Sequence, residues 1–241
     1  MLLSFNQQSL CSIPGERPNA TSKLSLSGQE SHGDDYTRPF TSVVKLFRVL
    51  YAQNGDFVVF QGVEPATFPK VEAARERRGS KVRFHYYPAH QRLLVTTPNL
   101  PHEIVHGKLT AAIYRDLGHM GLRDIDLEPA GSTTCLGSGG SSAEPDASFM
   151  PTVRSNDPGE WPTLVIETGV NQSLESLHTK MRWWYAAADH AVKIVLLIKT
   201  SLASRSVLIE KYIKEVLQTR PGATNTRLMS SIVCTIIPAA A

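Results

Sequence analysis

The chain has little that would build a disulfide scaffold, a membrane span or a strongly charged surface. Three cysteines occur in 241 residues, Cys11, Cys135 and Cys234. They are odd in number, far apart and without CxxC spacing, which excludes a disulfide framework and points to reduced thiols in an intracellular protein, cytoplasmic or nuclear. No apolar run approaches the roughly 18 residues of a membrane helix. The start, MLLSFNQQSL, is apolar only at its first three residues and has no basic region ahead of them, so a secretory signal is not expected. Charge of one sign is also scarce. The net charge of +3 permits a nucleic-acid partner without requiring one.

What is present fits one folded domain. A hydrophobic fraction of 41% and a charged fraction of 20% are ordinary for a globular protein, and this length supplies one sizeable core. Residues 1–40 are rich in Ser, Gly, Asn, Gln and Pro and follow neither hydrophobic period; they are expected to be a disordered tail ahead of a domain spanning 41–241. In TSVVKLFRVLYAQNGDFVVFQGV, Asn54-Gly55 between apolar runs signals a hairpin, while Val43 to Leu50 equally suits a short helix. Between Lys70 and Arg83, six Lys or Arg stand against two Glu, a local +4 that reads as a solvated helix face or as a phosphate contact.

A second hairpin is expected from KVRFHYY and RLLVTT around PAHQ. Pro101 suits the first turn of a helix through HEIVHGKLTAAIYRDL, with Ile104, Leu109, Ile113 and Leu117 as its stripe, closed by Gly118 or Gly121. IDLEPAGSTTCLG, EPDASFMP and TLVIETG read as three strands. Ser173 caps a helix carrying Leu174, Leu177, Met181, Trp184 and Ala188; of its adjacent Trp183 and Trp184, one is expected in the core and the other partly exposed. KIVLLIKTS has the unbroken apolar character of a central strand, and VLIEKYI and IVCTIIP follow as further strands. The class is therefore α/β, with β-hairpins ahead of a helix, three strands, a helix and a strand.

Two acids stand out in this order, Asp146 in EPDASFMP and Glu167 within the apolar TLVIETG. A carboxylate in a buried strand needs a cation, a hydrogen-bond network or a metal to offset its lost hydration. Glu167 shares a strand face with Thr163, Val165 and Gly169.

Pro145-Asp146, Glu167, Lys180 in KMRWWYAA and Glu103 on the preceding helix, in this order of elements, resemble the PD-(D/E)xK superfamily with the restriction-endonuclease-like fold. They are most similar to its uncharacterised group in which the lysine sits on the following helix. The resemblance covers roughly residues 80–212, the expected core. It implies a magnesium-dependent endonuclease acting on DNA phosphodiester bonds, with Mg2+ or Mn2+ held by Asp146, Glu167 and the Thr168 carbonyl, completed by Glu103 directly or through water, and with Lys180 acting on the attacking water or on the pentavalent phosphorus. A homodimer is compatible with it. The chain departs from the superfamily at Gly169, where the usual lysine would stand two residues after the acid.

Each residue also has a plainer reading. Lys180 can snorkel over apolar surface, Asp146 can open a strand, and Glu103 can complement a helix dipole. Gly169 favours a second function, a catalytically inactive nuclease fold that binds nucleic acid or protein. His102-Glu103-Ile104-Val105-His106 also matches HExxH, the pattern of a zinc metalloprotease, with Glu128 as a conceivable third ligand. That reading leaves Asp146 and Glu167 without a role. The Gly-rich GSTTCLGSGGSSAE lacks a P-loop ending and is expected to be a mobile strand connection.

Overall fold

The computed structural model describes residues 36–123, 126–154, 160–216 and 226–236. Most of the expected tail, 1–35, lies outside the described residues; the strand β1 (Thr37–Pro39) falls inside its last stretch and pairs in parallel with β2 (Phe57–Gln61). Between them runs α1 (Val43–Ala52), so the helical alternative holds and the first expected hairpin does not form. The reason is periodic. Leu46, Phe47 and Leu50 are buried at helical spacing and Ser42 accepts the Lys45 amide at 3.2 Å, which outweighs the local turn preference of Asn54-Gly55.

The chain continues through α2 (Phe68–Arg77), β3 (Arg83–Tyr87) and β4 (Arg92–Thr96), the last two forming the expected hairpin. Strand alternation then sorts the side chains. Val58, Phe60, Phe84, Tyr86, Leu93 and Val95 face α1 and α2 and make one core, leaving Arg83, His85, Tyr87 and Thr96 on the opposite face. The basic stretch is only partly a solvated face. Arg75 turns inward to Glu144 at 2.6 Å, and that carboxylate also accepts the Phe84 amide at 3.0 Å and the Thr134 hydroxyl at 2.8 Å.

Next come α3 (Leu100–His119), β5 (Leu127–Pro129), β6 (Cys135–Leu136), β7 (Ser142–Ala143), β8 (Ala147–Pro151) and β9 (Leu164–Gly169). The α4 helix (Leu174–Ala187) and β10 (Ile194–Ser201), β11 (Ser206–Val216) and β12 (Thr226–Ile236) complete the order. Two mixed sheets result, β1-β2-β4-β3-β7-β6 and β12-β11-β10-β9-β8-β5, and the protein is α/β. In the second, β5, β8 and β9 form an antiparallel meander, α4 crosses over, and β10 lies parallel to β9. The Gly-rich segment is not a simple connection: it leaves the second sheet and adds β7 and β6 to the edge of the first, with Gly139 and Gly140 turning at positive φ.

The two helices cover opposite faces of the second sheet. Leu177, Met181 and Trp184 of α4 pack with Val165, Val195 and Leu197, whereas Val105, Leu109, Ile113 and Tyr114 of α3 pack with Phe149, Ile166 and Ile198. The α3 stripe is rotated from the expected one, since Ile104 is exposed and buried His102 takes the inward position. Both tryptophans are buried, Trp183 included, because α4 is enclosed by β3 as well as by its own sheet. Among the described residues no helix is long and apolar enough to cross a membrane.

Asp56, in the loop between α1 and β2, reaches the turn after β9. Its two carboxylate oxygens accept the Val170 and Asn171 amides at 2.9 and 2.8 Å, tying the two sheets together beside the end of β9. Replacing Asp56 by Ala strands both donors, and we expect a loss of about 2–4 kcal/mol in urea unfolding. A change within a few tenths of a kcal/mol would remove this loop from the framework of the site.

Candidate functional site

Glu167 is fully buried, and its strand places it toward α4. Lys180 stands there because the Ser173 cap sets the phase of the helix, bringing Leu177, Lys180, Met181 and Trp184 to the inward side. The Lys180 ammonium donates to Glu167 Oε2 at 2.9 Å and to the Thr96 hydroxyl at 3.2 Å, and Trp184 Nε1 donates to Glu167 Oε1 at 2.7 Å. Lys180 is thus no snorkelling side chain. Only 2% of it is exposed, and its amine points inward. Burial opposes its charge, yet Glu167 and Asp146 together hold the ammonium above its usual range.

Asp146 precedes β8 and neighbours Glu167 across the strands, one step beyond the Ala147 and Ile166 pair. Its Oδ2 accepts the Thr168 amide at 2.7 Å and lies 3.1 Å from His102 Nε2, while Oδ1 lies 3.2 Å from Arg83. Thr168 therefore meets the site through its backbone N–H. Burial disfavours the Asp146 charge, but His102, Lys180 and Arg83 overcome it and hold the carboxyl well below the usual range. Glu103, half-exposed on the first turn of α3, joins Arg83 at 3.2 Å and His106 at 3.0 Å. Arg83 is the bridge. One guanidinium nitrogen contacts Asp146 and the other Glu103, a planar fork that Lys could not reproduce.

Asp146, Glu167 and Lys180 are thus brought into one electrostatic cluster, with Glu103 attached through Arg83. Among the described residues, one group of three His, Cys, Asp or Glu side chains brings ligand atoms within 4.8 Å of one another: His102, Glu103 and His106. Asp146, Glu167 and Glu103 do not converge as a trio, and Glu128 does not join the histidines.

Gly169 has a structural explanation. A Cβ there would lie 3.0 Å from the Gln172 Cβ, 3.2 Å from its carbonyl oxygen and 3.3 Å from Leu177 Cδ1. A side chain at this position would crowd Gln172 and Leu177, which would have to give by a few tenths of an ångström, and the amine near Glu167 arrives from another element. α4 supplies it.

Several residues lining the cluster escaped the sequence reading: Arg83, His85, Tyr87 and Thr96. Their signal was the alternation in RFHYY, where Phe84 and Tyr86 enter one core and the three residues between and beside them share the other face. His85 stacks on Tyr87 at 4.6 Å and meets Trp183 edge-on at 4.7 Å. Both His85 ring nitrogens and the Tyr87 hydroxyl are buried without a hydrogen-bond partner. Their polar edges make this wall receptive to a ligand or water.

The sequence matches no protein-family model and no curated protein.

The two buried histidines shift in opposite directions. For His102, burial lowers the pKa, but the Asp146 carboxylate more than compensates and holds it above 6.5. For His85, burial and then Lys180 both push it well below 6.5. By linkage, the His102 contribution to stability is fully present below pH 6.5 and is lost as pH rises through its folded-state value; the His85 contribution is present above 6.5 and is lost as pH falls toward its own. Histidine nitrogen NMR should find one imidazole titrating above 6.5 and another well below, with Asp146→Asn lowering the first. Two ordinary midpoints would contradict the arrangement.

Proposed function

We propose that the protein is a metal-dependent nuclease that hydrolyses DNA phosphodiester bonds, with Asp146, Glu167 and Lys180 at its centre. The observation that carries this reading is the Lys180 contact at 2.9 Å: an amine from α4 reaches the strand acid that neighbours Asp146, where β9 itself carries a closely packed glycine. The helix, meander, crossover helix and parallel strand supply the element order that the restriction-endonuclease-like fold uses, which supports the same reading.

The donors fit Mg2+ in kind, since the carboxylate oxygens of Asp146 and Glu167 are hard ligands, with Glu103 joined to the same cluster through Arg83; Thr168 faces Asp146 through its N–H, and its carbonyl is not counted among them. When bound, Mg2+ or Mn2+ would supply Lewis-acid stabilisation of the phosphate and lower the pKa of a coordinated water. The chain's own residues do the rest. Lys180 orients Glu167, and Lys180 and Arg83 together supply positive potential beside the two acids where a phosphate would bind. Trp184 fixes the second oxygen of Glu167, limiting the acid to one orientation.

One feature favours a second reading, an inactive nuclease fold that binds nucleic acid or protein. Both Glu167 oxygens and both Asp146 oxygens already face protein donors, so Arg83 and Lys180 already offset the charge that a metal would offset. Calorimetric titration with Mg2+ separates the two. Saturable binding that disappears in Asp146→Asn, together with metal-dependent cleavage of DNA that falls by about 100-fold or more in Glu167→Ala, is the expected result. Cleavage unchanged by Glu167→Ala overturns the nuclease, and absence of Mg2+ binding favours the inactive fold.

A further inference from the structure

We propose that His102, Glu103 and His106 form a binding site for Zn2+, and that Asp146 is the carboxylate orienting His102 from behind. His102 and His106 lie one turn apart on α3 with ring centroids 5.7 Å apart, and Glu103 lies on the same turn. The potential ligand atoms are already close. Glu103 Oε2 is 3.0 Å from His106 Nε2, and Glu103 Oε1 is 3.5 Å from His102 Nδ1. One ligand atom from each of the three side chains lies within 4.8 Å of the others, against about 3.4 Å between ligands of a tetrahedral zinc at 2.0–2.1 Å, so the side chains close in on the ion when it binds.

His102 is the independent indication of a ligand. Its side chain is fully buried; Nε2 faces the Asp146 carboxylate at 3.1 Å, while Nδ1, 3.5 Å from Glu103 Oε1, has no hydrogen-bond partner. A buried imidazole nitrogen without a hydrogen bond is rare unless something else engages it. Nδ1 faces the Glu103 side and Nε2 faces Asp146 at 3.1 Å. That is the carboxylate, histidine and metal relay by which outer carboxylates fix the ring of a zinc-bound histidine.

This differs from the HExxH protease arrangement, because Glu103 serves as a ligand and is not free as a general base. The half-exposed Glu103 side chain leaves an entry path and a fourth position for water. Arg83, at 3.2 Å from Glu103 Oε1, is the cation that zinc has to compete with. A consequence follows that rests on the nuclease reading: zinc places positive charge behind Asp146 and engages it through His102, so Zn2+ and Mg2+ oppose each other's binding, and by reciprocity each weakens the other by the same factor. The zinc site itself stands without that reading.

The test is titration of the metal-free full chain with Zn2+ by calorimetry and with Co2+ by visible absorption. One equivalent of each should bind, and His106→Ala and Glu103→Gln, both near the surface, should each weaken binding by more than about tenfold. Asp146→Asn should weaken it about 10- to 100-fold while preserving the Co2+ spectrum, which a merely structural role of Asp146 would not produce. Absence of binding, or affinity unchanged in both His106→Ala and Glu103→Gln, overturns the site. Zinc binding that leaves Mg2+ affinity unchanged overturns the antagonism alone, and a protein that binds zinc but no Mg2+ overturns the nuclease reading alone.

Discussion

A carboxylate taken wholly out of water sets the terms for this molecule. Glu167 sits in the middle of a buried strand, where an unpaired charge would cost several kcal/mol, and it is tolerated because Lys180 and Trp184 each satisfy one of its oxygens. That requirement fixes other parts of the structure. The α4 helix must present Lys180 and Trp184 on one face, one turn apart, and Thr96 of the first sheet must reach the same ammonium. Gly169 lets the turn into α4 close tightly over the end of β9, with Gln172 and Leu177 packed against it.

Around this pair the charges form a chain. Lys180 serves Glu167 and feels Asp146, Arg83 joins Asp146 to Glu103, and His102 lies between those two acids. The chain draws its members from both sheets and both helices of the second layer, so the same contacts hold the sheets together and build the site. Buried ion networks contribute little net stability against apolar replacements, but removing one partner strands the next. A network of this kind is therefore better suited to defining an arrangement than to strengthening a core.

Much of this architecture was legible in the sequence. Where a segment carried one clear period, as in HEIVHGKLTAAIYRDL, TLVIETG and LESLHTKMRWWYAA, the element formed where expected. The acid in TLVIETG announced its need for a partner, and the family resemblance, which places the lysine on the following helix, made Lys180 a candidate. The errors arose where two local preferences competed or where a long-range partner decided. Asn54-Gly55 suggested a hairpin, but the apolar spacing of Leu46, Phe47 and Leu50 made a helix before it. The Gly-rich segment gave no hint that it would add two short strands to the first sheet, because that pairing depends on the free edge of β3. Arg83 was counted with a basic stretch, and only the strand alternation that turns it away from Phe84 reveals it as the bridge between Asp146 and Glu103.

The central claim is that Glu167 and Lys180 exist as a mutually dependent buried pair. A double-mutant cycle of Glu167→Gln and Lys180→Met, followed by urea unfolding with tryptophan fluorescence, measures it directly. Each single variant is predicted to lose about 3–5 kcal/mol. The double variant should recover a coupling of about 0.5–3 kcal/mol relative to the sum. Two losses that simply add would show that the charges do not depend on one another and would contradict the account.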